Sequence, residues 1–182
     1  MKKFSIALMA LGFLSITIQS CTSDPCKDKS ATTLCSGKGT LVSNTNSCDC
    51  SCEAGYTGTS CSTTVITTLI KTWSNSTSST YNGVTTPFSA SSSISTVASG
   101  NIVDIVIMDL GAGYKSSGSL VQTKAKITNS TTITLDETPQ GGYVFKGTGV
   151  LQSDNSWKFT YTVTYILSGG TTRVDNNVTI LR

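Results

Sequence analysis

Polar and apolar residues alternate with a period of two along most of the chain after residue 64. Trp157, Phe159, Tyr161, Val163, Tyr165 and Leu167 fall on one side of a run whose other side is Lys158, Thr160, Thr162 and Thr164. Successive side chains of an extended strand point to opposite faces, so this run predicts a strand with its aromatic face inward. Val121, Thr123, Ala125 and Ile127 alternate in the same way with Gln122, Lys124 and Lys126. Tyr143, Phe145 and Leu151 share a parity, and Gly147 and Gly149 between them fit a bend or the close approach of another backbone. The pattern predicts strands at about 65–73, 81–88, 92–97, 102–109, 119–127, 131–136, 142–151, 156–167 and 172–181. Within 81–97, Pro87 and the Ser-rich run 89–93 read equally as loop. Turn signals separate the other strands: Gly111-Ala-Gly113, Asn129-Ser130, Gln140-Gly-Gly142, Asp154-Asn155 and Gly169-Gly170. Short strands with tight connections predict an antiparallel meander over 65–182, closed as a barrel or folded as a sandwich, with no helix required.

The first residues follow a different pattern. Met1-Lys2-Lys3 is basic, and Phe4 to Ile18 is an apolar run broken only by small or hydroxyl residues. It is too short for a comfortable membrane span and suits a secretory signal over 1–20. The run ends in Gln19-Ser20-Cys21, which resembles the lipobox of bacterial lipoproteins, with Ser20 at its small position. The resemblance implies that Cys21 is lipidated, that 21–25 is a tether, and that the protein is held on the outer side of a bacterial membrane, the outer membrane of the two.

Seven cysteines stand in the chain, all at or before Cys61. An even set of six in an exported chain reads as a disulfide framework, with Cys21 left over. Six cysteines permit fifteen pairings on sequence alone. A Cys52–Cys61 bridge closes a short loop that Gly55 and Gly58 allow to reverse. Cys50-Ser-Cys52-Glu-Ala-Gly55-Tyr56-Thr-Gly58-Thr-Ser-Cys61 resembles the C-terminal half of an EGF-like domain. By that resemblance 26–61 is an EGF-like module bridged Cys26–Cys48, Cys35–Cys50 and Cys52–Cys61. The chain departs from the family where Ser36-Gly-Lys-Gly-Thr40 is followed by Leu41 and the third cysteine comes only at Cys48. Asp24, one residue before Pro25, is a poor substitute for the acidic ligands of the calcium-binding branch, so no calcium and no other metal is expected. The whole order is also similar to small bacterial lipoproteins with a lipobox, one EGF-like unit and a β domain carrying an early Trp, here Trp73, and a late Phe159-Thr160-Tyr161. That likeness implies no activity.

Charge and chemistry narrow the function further. Lys2 and Lys3 are among 13 basic residues, so the chain beyond the leader has 11 against 10 acidic ones. No basic patch remains, which excludes a nucleic-acid partner. No histidine is present, which removes Ser-His-Asp and Cys-His nucleophiles and the usual catalytic zinc sites. Asp109, Asp136-Glu137 and Asp154 fall at strand ends or turns, where solvated acids are expected. Asp104 is the acid within a largely apolar strand, and alternation turns it outward. Leu110-Gly-Ala-Gly-Tyr114 carries a G-x-G without a following helix, a poor phosphate site. Trp73, Tyr81 and Tyr114 are candidate glycan or peptide contacts or, more simply, strand packing. The expectation is an extracytoplasmic, lipid-anchored binding or structural protein, not an enzyme. It has no catalytic residues and no cofactor, and its partners are the membrane through the lipid and a protein or glycan ligand. The alternatives are a carboxylate-dependent glycan hydrolase using Asp104, and a barrel pocket for a small apolar ligand.

Overall fold

A computed structural model describes residues 23–97 and 101–182. The leader reading over 1–20 and the lipidation of Cys21 fall outside the described residues. In chain order the elements are α1 (Ala31–Leu34), β1 (Gly39–Ser43), β2 (Cys48–Cys52), β3 (Tyr56–Thr57), β4 (Thr63–Thr64), α2 (Val65–Leu69), β5 (Thr72–Tyr81), β6 (Val84–Thr96), β7 (Asp104–Met108), β8 (Lys115–Ser116), β9 (Ser119–Leu120), β10 (Gln122–Asn129), β11 (Thr132–Leu135), β12 (Tyr143–Leu151), β13 (Trp157–Ile166) and β14 (Thr172–Leu181).

Residues up to β4 form a disulfide-rich module. β1 and β2 pair as a hairpin, and β3 pairs with β4. Bridges join Cys26 to Cys48, Cys35 to Cys50 and Cys52 to Cys61. With so few buried side chains, a unit this small relies on such bridges. Gly39 lies against the Cys61 sulfur and the Ser51 carbonyl, where no side chain fits. The Asp24 carboxylate accepts from the Ser43 hydroxyl and the Cys26 amide, and these bonds hold it below the usual carboxylate range.

The rest of the chain is a closed antiparallel barrel of eight strands, in the order β10-β11-β12-β13-β14-β5-β6-β7. A barrel is thus chosen over a sandwich, and closure leaves most strands without a free edge. Trp157, Phe159, Tyr161 and Val163 are buried inward along β13 while Lys158 and Thr160 face out. Gly149 leaves its space to the Phe159 ring, and Gly147 lies against Tyr161.

Three expectations are corrected. The stretch 65–73 is not one strand. Val65, Ile66 and Leu69 form one face of α2, which closes the barrel base beneath Trp73. The Trp73 indole N–H donates to the Leu69 carbonyl at 3.0 Å, and the Lys71 ammonium sits 3.8 Å from the Trp73 ring centre. The apolar side chains at the base would otherwise meet water, and burying three more apolar side chains against them, at about 1.5–3 kcal/mol each, outweighs the strand preference of β-branched residues. Second, the segments 81–88 and 92–97 are not separate strands. Asn82-Gly83, with φ of 48° and 78°, make a two-residue turn between two long strands, β5 and β6, and the Ser-rich run 89–93 is strand throughout. Third, Asp109 is buried.

The third correction explains the second. After Met108 the chain turns into the lumen through Asp109 and Gly111, with φ of 53° and 116°. The Leu110 carbonyl accepts from the Tyr161 hydroxyl at 3.0 Å and the Thr179 hydroxyl at 2.8 Å. The Asp109 carbonyl accepts from Ser92 and Asn75. A Cβ on Gly111 would run into the Thr77 hydroxyl. A backbone threaded into a barrel needs partners for its polar groups. They come from Asn75 on β5, Ser92 on β6, Tyr161 on β13 and Thr179 on β14, all buried, with the Thr77 hydroxyl of β5 bonded in turn to Thr179. The inward face of β5 is polar for this reason and has no apolar period.

Candidate functional site

The strand directions give the barrel two different ends. β5 enters at the base beside α2, and the module rests at this end, where Gly55 faces Ile102 and Val103 and its carbonyl accepts from the Val65 amide at 2.8 Å. Trp73, Leu69, Trp157 and Leu181 are buried here. Tyr81, Val84, Tyr143, Tyr165 and Arg173 stand at the other end, the mouth. Between the ends the lumen is filled by Ile94, Ile105, Ile107, Phe145, Phe159 and the inserted loop, so the alternative of a barrel pocket for a small apolar ligand finds no space in this part of the barrel.

The mouth holds an open cavity of about 630 Å³. Its floor is a buried carboxylate. Asp175 Oδ2 accepts from the Tyr114 hydroxyl at 3.0 Å and the Tyr165 hydroxyl at 3.1 Å, and Oδ1 accepts from Arg173 Nε at 2.7 Å. Its side chain is 3% exposed against 32% for Arg173. The Asn177 amide donates to the Tyr114 hydroxyl at 3.2 Å. A buried charge is tolerated when it is paired and hydrogen-bonded, as this one is. Removing Arg173 alone would leave it uncompensated.

Around this carboxylate the aromatics form a cluster of rings tilted against one another by 43° to 68°. Ring centres lie 5.1 Å apart for Tyr143 and Tyr165, 5.3 Å for Tyr114 and Tyr143, and 5.9 Å for Tyr114 and Tyr165. The Tyr143 hydroxyl donates to the Lys115 carbonyl at 2.9 Å. The guanidinium of Arg173 lies 4.1 Å from the centre of the Tyr81 ring, a stacked cation on an aromatic face. Burial pushes the Tyr165 hydroxyl up to about 12, with the bond to Asp175 adding to it. Burial also raises Tyr114 and Tyr161, against the lowering effects of their Asn177 and Thr179 hydrogen bonds. The Arg173 guanidinium is raised by its bond to Asp175.

The outer half of β6 borders the cavity. β7 meets β6 only at Ser93–Thr96, so residues 84–91 keep one open edge. The Ile94 amide donates to the Lys71 carbonyl, which sets the alternation: even-numbered residues turn their backbone groups to β5, odd-numbered ones away. The missing N–H of Pro87 therefore faces the open edge, where a strand tolerates proline. On the inward parity of this stretch, Val84 is 68% and Phe88 37% exposed, and both line the cavity.

The residues singled out from sequence separate as follows. Trp73 is core at the base, whereas Tyr81 and Tyr114 line the mouth. Asp104 faces outward opposite Lys126. It shares an open hollow of about 540 Å³ with Asp136 and Glu137, where Lys124 and Lys126 stand among the acids and Glu137 is paired with Lys146 at 3.2 Å. The six bridged cysteines all lie in the module at the base. Arg173 and Asp175 were not singled out. Their signal was two charges at one parity of a strand whose inward face is otherwise Asn177, Thr179 and Leu181.

No family model matches the chain, and no curated protein matches it. Among solved structures the chain is similar to a redesigned β-barrel, with 19% identity and a TM-score of 0.37 over 65% of this chain and 94% of that one. It is also similar to a protein of unknown function from Bacteroides ovatus, with 13% identity and a TM-score of 0.38 over 61% of this chain. The chain spans 41% of that second protein.

Proposed function

We propose that this is an extracytoplasmic binding protein, anchored through a lipid on Cys21 to the outer membrane of a bacterium, that takes its ligand in the mouth of the barrel. The disulfide-rich module, which resembles an EGF-like domain, is a stapled spacer between lipid and barrel. The observation that carries this reading is the mouth cavity, walled by tyrosines that a buried, fully bonded Asp175 holds in place. Most of a barrel interior is closed by packing. Here aromatic faces and a stacked arginine are left open at the end opposite the module, the end that an anchor at Cys21 turns away from the membrane. In this reading the protein is not an enzyme. The outward Asp104, with lysines between it and the neighbouring acids, favours binding over carboxylate-dependent glycan hydrolysis, which requires two acids across a cleft.

The test has two arms. Mass spectrometry of the mature N-terminus should find acylated Cys21, and a free thiol there would remove the anchor. Glycan and peptide arrays probed with the full chain in detergent should give a ligand whose binding falls at least tenfold in Tyr81→Ala. Ligands indifferent to Tyr81 would move the site away from the mouth.

A further inference from the structure

Building on the mouth as the binding site, we infer that its ligand is a saccharide bearing a carboxylate, with the acid group on Arg173 and a sugar ring against a tyrosine ring of the mouth. Arg173 commits only Nε to Asp175. Among the described residues its two terminal nitrogens meet no acceptor, and its guanidinium is fixed by the stack on Tyr81. A planar fork of N–H donors held in this way matches the two oxygens of a carboxylate.

The charge seen from the cavity agrees. The charged residues lining it are Lys115, Arg173 and Asp175. Asp175 already accepts three hydrogen bonds and is almost wholly covered, so an incoming ligand meets two cations. The hydroxyls of Tyr114, Tyr143 and Tyr165 are likewise engaged within the protein, which leaves the rings themselves as contact surface. Aromatic surface takes the C–H faces of sugar rings, while Ser79 and Thr86 bring hydroxyls to the same cavity. An acidic peptide is the competing occupant. A peptide captured as an added strand along β6 would find no donor at Pro87 in the middle of the open edge, which favours the saccharide.

The experiment is calorimetric titration of the full chain in detergent with trigalacturonate, with sialyllactose, with the methyl ester of each, and with a Glu-rich peptide. At least one acid should bind, and its methyl ester should bind at least tenfold more weakly. Arg173→Lys keeps a cation beside Asp175 but loses the fork, and should weaken the acid at least tenfold with no effect on the ester. Lys115→Gln does not touch Asp175 and should weaken the acid several-fold. It decides the matter if Arg173→Lys fails to fold by tryptophan fluorescence. No binding of either acid, equal binding of the ester, or indifference to both substitutions overturns the inference. If the ester or the peptide binds and Tyr81→Ala abolishes that binding, the mouth remains the site and only the acidic-saccharide class falls. If no binding responds to Tyr81→Ala, both readings fall.

Discussion

Three threonines inside the barrel should respond to the same substitution with different signs. Thr179 donates to the Leu110 carbonyl at 2.8 Å and lies 2.7 Å from the Thr77 hydroxyl. Thr179→Val keeps the volume and the strand preference, removes the bond to Leu110 and orphans the buried Thr77 hydroxyl. The Leu110 carbonyl retains Tyr161. A lost bond costs about 0.5–1.5 kcal/mol and an orphaned buried hydroxyl about 1–3 kcal/mol, so the expected loss is about 2–4 kcal/mol. Thr77→Val removes a group whose partner still bonds to Leu110 and should cost about 1 kcal/mol. The double variant contains no orphan, so it should be no less stable than Thr179→Val alone, a coupling of at least about 1 kcal/mol. Thr123 is the counter-case. Its buried hydroxyl has no partner among the described residues, so Thr123→Val should stabilise by up to about 1–2 kcal/mol. Urea unfolding followed by tryptophan fluorescence reads the barrel alone, because Trp73 and Trp157 both lie in it. Additive losses at Thr77 and Thr179, or a loss at Thr123 equal to theirs, would refute a lumen organised around the inserted loop.

Three further outcomes are expected. Phe159→Ala should cost about 3–5 kcal/mol and Thr160→Ala little, since the first is fully buried and the second exposed; equal costs in the same unfolding assay would contradict the register of β13. Cys52→Ala should cost the module about 2–5 kcal/mol and make it protease-sensitive, while the barrel's urea midpoint stays near that of the parent; a collapse of both would mean the barrel depends on the module. Stability should fall above about pH 10. Tyr165, at about 12 when folded, and the raised Tyr114 and Tyr161 keep their protons longer in the native than in the unfolded chain, so their contribution is whole below the unfolded value and is lost as pH climbs through the folded ones. Tyrosinate absorbance should show these rings ionising late or together with unfolding, and normal titration of all the tyrosines would place the mouth in water.

What the sequence determined by itself was whatever repeats locally. The parity of β13, the inward set Val121 to Ile127, the close approach at Gly147 and Gly149 and most turns follow from a two-residue period and from turn chemistry, which act over a few residues. The six cysteines marked a compact disulfide-bonded module. Tertiary structure decided the rest. β5 was unreadable because its inward Asn75, Thr77 and Ser79 face the strands and the inserted loop from the far side of the barrel, and hydrophobic periodicity carries no sign of such neighbours. The strand expected over 81–88 ran through Asn82-Gly83, which the pairing of β5 with β6 makes a turn. Val65 to Leu69 became a helix because that places three apolar side chains against the apolar base of the barrel. Asp175 reads in the chain as one acid among ten. Arg173 stands beside it at the same parity of β14 and Tyr165 across the β13–β14 hairpin, but only closure of the barrel brings Tyr114, from the loop after β7, onto the same carboxylate, where low exposure makes the pairing obligatory and turns a strand residue into the floor of a site.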